Sequence, residues 1–156
     1  MDIEDAKEGP YEECYDNGNL WKKGSFKNGM LDGVWEWYYK NGSLEVRGAF
    51  INGKKNGLWE SYHDNGRLKS KGNVKDGKLD GLNIVYHSNG NVKEKKVYKD
   101  GLENGLSEIF YRDGQLEETG CYVNSEKDGL WERFWEDGRI KWRGTYQEGV
   151  KIKKKI

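Results

Sequence analysis

Glycine recurs in this chain at a fixed interval of 24 residues. One series runs Gly9, Gly33, Gly57, Gly81, Gly105, Gly129, and a second Gly18, Gly42, Gly66, Gly90, Gly114, Gly138. A third, Gly24, Gly48, Gly72, Gly120, Gly144, misses only at Lys96, and a fourth, Gly29, Gly53, Gly77, Gly101, Gly149, misses only at Ser125. All 22 glycines fall on these series. A fixed period of this length is the signature of a repeat array, in which one supersecondary unit stacks on its neighbours because it cannot bury its apolar face alone.

Counting from Gly33 as position one, the other places of the unit are nearly as regular. Position two is apolar (Val34, Leu58, Leu82, Leu106, Leu130), and position three is aromatic in Tyr11, Trp35, Trp59 and Trp131. Position four is Glu in Glu12, Glu36, Glu60, Glu108 and Glu132, and position six is aromatic in five copies. Asn-Gly or Asp-Gly follows, then an aliphatic residue. Short runs rich in Trp, Tyr, Phe, Val and Leu between such turn dipeptides read as β-hairpins, and no window keeps a helical period. The single proline suits a meander, since proline interrupts strand ladders. The fold class expected is all-β: an extended single-layer antiparallel meander of six 24-residue β-hairpin repeats, about twelve strands.

The register can be read further. Asn41-Gly42 and its equivalents suit a two-residue type I′ turn, in which both residues take positive φ. Such a turn sets position seven opposite twelve, four opposite fifteen and three opposite sixteen. Residues near 52–57 are then a looser loop. Glu12 comes to face Lys23, Glu36 Arg47, Glu60 Lys71 and Glu132 Arg143, pairs worth about 0.2–1 kcal/mol each. Trp35 comes to face Gly48, Trp59 Gly72 and Trp131 Gly144, where a ring can cover bare backbone. The fourth copy has Lys96 for the glycine and Asn83 for the ring, while in the fifth Ser107 faces Gly120 and departs from the rule.

Composition fits a thin fold. The chain is 34% hydrophobic and 35% charged, with a mean hydropathy of −1.08. Those values alone lean towards disorder, but the aromatics stand at fixed places in the repeat. Lys plus Arg equals Asp plus Glu, 27 each. A balanced chain carries no electrostatic footprint for nucleic acid. The organisation expected is an acidic tail at 1–8 (Asp2, Glu4, Asp5, Glu8), copies at 9–32, 33–56, 57–80, 81–104, 105–128 and 129–152, and a basic tail at 153–156. Cys14 and Cys121 lie more than four copies apart, roughly 40 Å at the strand spacing of a sheet, too far for a bridge. No apolar stretch reads as a signal peptide or membrane span. The expected location is the cytoplasm, or outside it as a mature form if a leader precedes the sequence given.

The unit Gly-Leu-Trp-Glu-x-Tyr-x-x-Asn-Gly-x-Leu, followed by Gly-x-Tyr/Phe-x-x-Gly, resembles the MORN-repeat variant, the form common in bacterial proteins. Residues 57–77 show it most fully, and the likeness covers nearly the whole chain. It implies stacked antiparallel hairpins. It also implies a binding role: all-repeat relatives are often assigned as antitoxin- or immunity-like partners, others are surface-associated, and eukaryotic ones are scaffolds near membranes.

Chemistry finds no singular constellation. His63 and His87 share position seven in adjacent copies, about 10 Å apart, where zinc ligands must converge on one ion at about 2 Å. The same place elsewhere holds rings, so the histidines stand in for them. A Glu that returns every 24 residues is a charge partner rather than a catalyst. No phosphate-cradle spacing occurs. No enzyme activity, cofactor or metal is expected. The one basic cluster, Lys153 to Lys155, is short for a membrane anchor. What remains is a column of rings at position seven, Tyr15, Tyr39, His63, His87, Tyr111 and Trp135, with the irregular Trp21, Trp37 and Trp142, and such rings are enriched at binding hot spots. The function expected is a non-catalytic protein-binding repeat protein, an antitoxin- or immunity-type partner that occludes a toxin- or effector-like protein. The alternative is a structural or surface-associated scaffold that self-assembles or touches membrane.

Overall fold

A computed structural model describes residues 7–152. Asp2, Glu4, Asp5 and Lys153 to Lys155, the charges of the two tails, lie outside the described residues. The chain divides into two compact units between Lys78 and Leu79. The first contains β1 (Gly9–Cys14), β2 (Leu20–Lys27), β3 (Met30–Tyr38), β4 (Leu44–Ile51), β5 (Lys54–Tyr62) and β6 (Leu68–Lys75). The second contains β7 (Lys78–Tyr86), which begins at the division, then β8 (Val92–Lys99), β9 (Leu102–Phe110), β10 (Leu116–Val123), β11 (Glu126–Phe134), β12 (Ile140–Gln147) and β13 (Val150–Ile152). In each unit strand order follows chain order and neighbours run antiparallel. No helix occurs among the described residues. The antiparallel meander is the one the repeat spacing predicts, with β13 as a thirteenth, short strand.

The two kinds of Asn-Gly turn are the reverse of the expectation. At Asn41-Gly42 the Gly42 N–H donates to Tyr39 O and the Tyr39 N–H to Ser43 O, both at 2.9 Å. Of this loop only Gly42 takes positive φ, at 86°. That is a three-residue loop, a type I turn closed by a left-handed glycine, not type I′. The supposed looser loop is the tight one: Asn52 and Gly53 take φ of 49° and 75°, the type I′ pair, and strand β5 begins at once at Lys54. The register nonetheless survives. Tyr38 pairs with Leu44 and Trp37 with Val46, so Glu45 is an extra residue, and Glu36 still meets Arg47 and Trp35 still meets Gly48. The one-residue bulge cancels the one-residue error in the turn. Only the outer pairs are displaced, since Tyr39 faces Ser43 rather than Leu44 and Tyr38 faces Leu44 rather than Glu45.

The ring places are corrected too. Trp35 is the Cα partner of Gly48, but its ring lies on Gly24 of the strand before it. A Cβ built on Gly24 would stand 2.2 Å from Trp35 Cδ2. Gly48 stands in the same relation to Trp59, and Gly120 to Trp131. The cause is a skip in the ladder: Lys23 pairs with Glu36 and Ser25 with Asp32, which leaves Gly33, Val34 and Trp35 together opposite Gly24. The bulged segment leans the indole back over the preceding copy, where bare backbone gives it room. Trp35 and Trp131 are almost wholly buried there, and their indole N–H groups donate to Ser25 O at 3.0 Å and Cys121 O at 3.1 Å.

This geometry accounts for the irregular copies. In the second unit Lys96 replaces the seat and Ser107, its Cα partner, replaces the ring. A small residue has been exchanged for a large one at the seat, and a large for a small at the ring. Ser107 is buried, and the Lys96 ammonium reaches Glu103 at 2.8 Å and Glu94 at 3.7 Å.

Charge pairing follows the expected row but steps to the next copy. Lys23 bonds Glu36 at 2.9 Å and Arg47 bonds Glu60 at 2.6 Å, rather than Glu12 and Glu36. The Tyr38 hydroxyl donates to the same Glu36 carboxylate at 2.6 Å, and the Lys23 ammonium lies 5.7 Å from the Tyr38 ring. Cys14, at the equivalent place beside Glu12, offers neither. With Glu36 occupied, Arg47 turns to Glu60. Glu132 and Arg143 pair as expected, at 3.2 Å.

Candidate protein-binding face

Strand alternation puts the ring places, the glycine seats and Phe26, Phe50 and Val74 on one side of the sheet. In the first unit these rings form a continuous slab. Tyr11 meets Phe26 at 5.3 Å between centroids, Phe26 meets Trp35 at 5.1 Å, Trp37 lies 5.9 Å from both Trp35 and Trp59, and Phe50 meets Trp59 at 5.2 Å. Edge-to-face contacts of this kind add about 0.5–1.5 kcal/mol each beyond area burial. The slab is one layer deep. Trp35, Phe50 and Val74 are buried in this unit, while Trp37 and Trp59 are half-buried.

Lysines lie across the slab. Lys7 sits 4.8 Å from the Tyr11 centroid, Lys55 4.1 Å from that of Trp59, and Lys22 5.8 Å from that of Tyr11. Lys22 also bonds Glu13 at 2.9 Å. The Lys22 ammonium first, and then the Tyr11 hydroxyl, donate to the Glu13 carboxylate and hold it below its ordinary range. Glu13 is thus already neutralised, and Lys7 and Lys55 give the face its sign. These lysines and the regular rings Trp35 and Trp59 were not nominated from sequence. The legible signal was Lys recurring at one place of the repeat, in Lys7, Lys55, Lys127 and Lys151.

The second unit carries the slab only at its far end, where Trp131 meets Tyr122 at 4.9 Å and Lys127 lies 3.7 Å from the Trp131 centroid. Around Lys96 the same face is polar, with Glu94, Tyr98, Glu103 and Glu118. Burial first, then the Glu103 carboxylate, pushes the Tyr98 hydroxyl above its ordinary range.

The nine nominated residues fall into separate settings. The position-seven column fastens one copy to the next: the hydroxyls of Tyr15, Tyr39 and Tyr111 donate to the carbonyls of Tyr38 (2.6 Å), Tyr62 (2.8 Å) and Phe134 (2.8 Å), and His87 Nε2–H donates to Phe110 O at 3.0 Å. His63 Nε2 is buried without a hydrogen-bond partner. Trp135, the last of the column, is 48% exposed with the Lys141 ammonium 4.0 Å from its ring centroid. Trp21 packs beside Tyr15 at 6.0 Å under Lys22. Trp37 lies inside the slab. Trp142 covers Gly144 and lies 6.1 Å from Tyr146.

The opposite side carries the charge row and a file of exposed aliphatics, Val34 and Leu58 in the first unit and Leu106 and Leu130 in the second. Burying none of these behind another layer leaves both sides of the sheet open to a partner among the described residues.

No curated protein shows a significant match to the chain. A family model described as MORN repeat variant matches five consecutive segments, residues 7–28, 31–52, 55–76, 79–100 and 103–124. Each begins just before a glycine of the first series and closes at a type I′ turn, and together they make up most of the sequence. The chain belongs to the MORN repeat variant family, whose non-enzymatic repeats generally bind proteins or membranes.

Proposed function

We propose that the chain is a non-catalytic protein-binding protein whose working surface is the lysine-topped aromatic slab of the first unit. The observation that carries this reading is that Trp37 and Trp59 stay only half-buried in a slab that carries Lys55 over Trp59 and Lys7 over Tyr11. A half-buried ring already held in place loses little entropy on binding, which is what makes aromatic hot spots effective. Ammonium groups over Trp59 and Tyr11 favour a partner that presents carboxylates around an apolar centre. Binding there would occlude the partner's own surface, the mode of an antitoxin- or immunity-type protein; that finer assignment follows the family resemblance.

The test separates the two sides of the sheet. Lys55→Glu reverses a charge on the slab, and Leu58→Glu puts one on the opposite side; both side chains are exposed, so both variants should fold. Affinity capture from the native lysate should yield one partner with the wild-type chain and with Leu58→Glu, and lose it with Lys55→Glu. Loss with Leu58→Glu alone moves the surface to the other side and refutes the slab.

A further inference from the structure

The side opposite the rings differs between the two units. Position two and its Cα partner run across that side as a stripe. In the first unit the stripe pairs Pro10 with Ser25, Val34 with Ala49 and Leu58 with Asn73. In the second it pairs Leu82 with Val97, Leu106 with Cys121 and Leu130 with Thr145. A Cβ built on Gly105 would stand 3.0 Å from that of Val97, so the apolar stripe runs on from β8 to β9. Alternation puts Leu102 and Val123 on the same side, nearer the type I′ turns. Leu82, Leu102, Leu106, Val123 and Leu130 are between 46% and 53% exposed, and Cys121 is exposed among them.

The flanks of this patch carry opposite charge. On this side β8 presents Lys95 and Lys99, while β11 presents Glu126, Asp128 and Glu132. Lys95 is neutralised by Glu108 at 3.7 Å and Glu132 by Arg143 at 3.2 Å. Lys99, Glu126 and Asp128 make no ion pair among the described residues, and Lys99 and Glu126 are exposed. The first unit lacks this division: beside its type I′ turns the exposed charges on this side are Lys27, Lys54 and Lys75, all of one sign.

We propose that a second copy of this chain packs face to face on this side of the second unit, about a two-fold axis that runs along the strands between β9 and β10. The axis lays β8 over β11 of the other copy and β9 over its β10, at the ~10 Å spacing of packed sheets. Lys99 then meets Glu126 and Asp128 of the other copy, and symmetry makes the contact twice. Leu106 lies over Cys121 of the other copy, and Val97 over Leu130. An isologous contact of this kind closes at two copies. Six strands ~4.8 Å apart and five residues at ~3.4 Å make a face of roughly 500 Å² per copy, so two faces reach the ~1,000 Å² that a specific interface needs. The corresponding side of the first unit would set lysine against lysine. The contact lies on the second unit and is independent of the slab proposed for the first.

Sedimentation equilibrium of the full chain tests it, over about 1 μM to 1 mM. The wild type should rise from 18.1 kDa to a plateau at two copies. Leu106→Glu buries a carboxylate in the patch and should move association to a concentration about a hundredfold higher or more. Leu58→Glu, at the same place in the first unit, should associate like the wild type. Lys99→Glu and Glu126→Lys should each shift association about tenfold. An equal mixture of those two should recover it, because the mixed pair again joins opposite charges at both ends. That recovery also shows both variants are folded, and far-UV circular dichroism shows the same for Leu106→Glu. A wild type that stays at 18.1 kDa or grows past two copies would overturn the proposal. So would Leu106→Glu without effect, Leu58→Glu equally impaired, or charge reversals that do nothing or do not recover on mixing.

Discussion

The close approach of ring to glycine makes a sharp prediction at Gly24. A methyl group there would stand 2.2 Å from Trp35 Cδ2 and 2.3 Å from Cε2, where ordinary contact needs roughly 3.5–4.0 Å. The ring cannot slide aside, because Phe26, Trp37 and Phe50 pack around it at 5.1, 5.9 and 6.5 Å. Gly24→Ala must therefore lift the indole. Overpacking costs about 1–3 kcal/mol, and the lost hydrogen bond to Ser25 O adds about 1 kcal/mol, for a total of about 2–4 kcal/mol. Trp35→Ala alone should cost about 3–5 kcal/mol. In the double variant the methyl group has nothing left to strike, so its cost should be near that of Trp35→Ala. The coupling should then equal the whole cost of Gly24→Ala, about 2–4 kcal/mol, far from additive. Gly33→Ala is the contrast, since nothing lies within 4 Å of its Cβ and only its positive φ resists, at about 1–2 kcal/mol. Urea unfolding followed by far-UV circular dichroism measures all four. A Gly24→Ala chain within about 0.5 kcal/mol of wild type, or strictly additive costs, would refute the seat.

Other perturbations follow from the same contacts. Tyr39→Phe removes the hydroxyl bonded to Tyr62 O and should cost about 1 kcal/mol, visible as faster amide exchange at the Tyr39 to Ser43 loop. Lys96→Met keeps the stem but leaves Glu103 and Glu94 without their cation; unfolding should come about 1–3 kcal/mol earlier, and adding Glu103→Gln should recover part of the loss. The carboxyl of Glu60 is held below its ordinary range first by its bond to Arg47, and that of Glu36 first by the Tyr38 hydroxyl. A carboxylate depressed in the folded state contributes stability above its unfolded value, about 4.3, and loses it as pH falls through the folded value. The urea midpoint should thus drop below about pH 4.3, and less steeply in Glu60→Gln.

Much of this architecture was legible in the letters. The period gave the hairpins, and the spacing of Glu36 to Arg47 and of Trp35 to Gly48 gave pairs that the backbone keeps. What the letters did not carry is which neighbour a side chain chooses. Trp35, Trp59 and Trp131 each stand between two glycines, one eleven residues before and one thirteen after. Either series has one mismatch, Asn83 over Gly72 in the first and Ser107 against Gly120 in the second. Counting could not separate them; the bulge at Gly33 does, by tilting Trp35 backwards. The turns hid for a similar reason. Asn41-Gly42 and Asn52-Gly53 are the same dipeptide, and only where the strands stop tells a three-residue loop from a two-residue one. The position-seven rings were visible as a column, but not their hydroxyl bonds to the next copy, because those depend on a carbonyl 23 residues away.

The slab as binding surface is tested most directly by side-chain footprinting. The wild-type chain would be labelled by hydroxyl radicals free and in complex with its captured partner, and oxidation read residue by residue. The account predicts that Trp37 and Trp59 are shielded in the complex while Val34 and Leu58 react as in the free chain. Shielding of Val34 and Leu58 with Trp37 and Trp59 unchanged would contradict it.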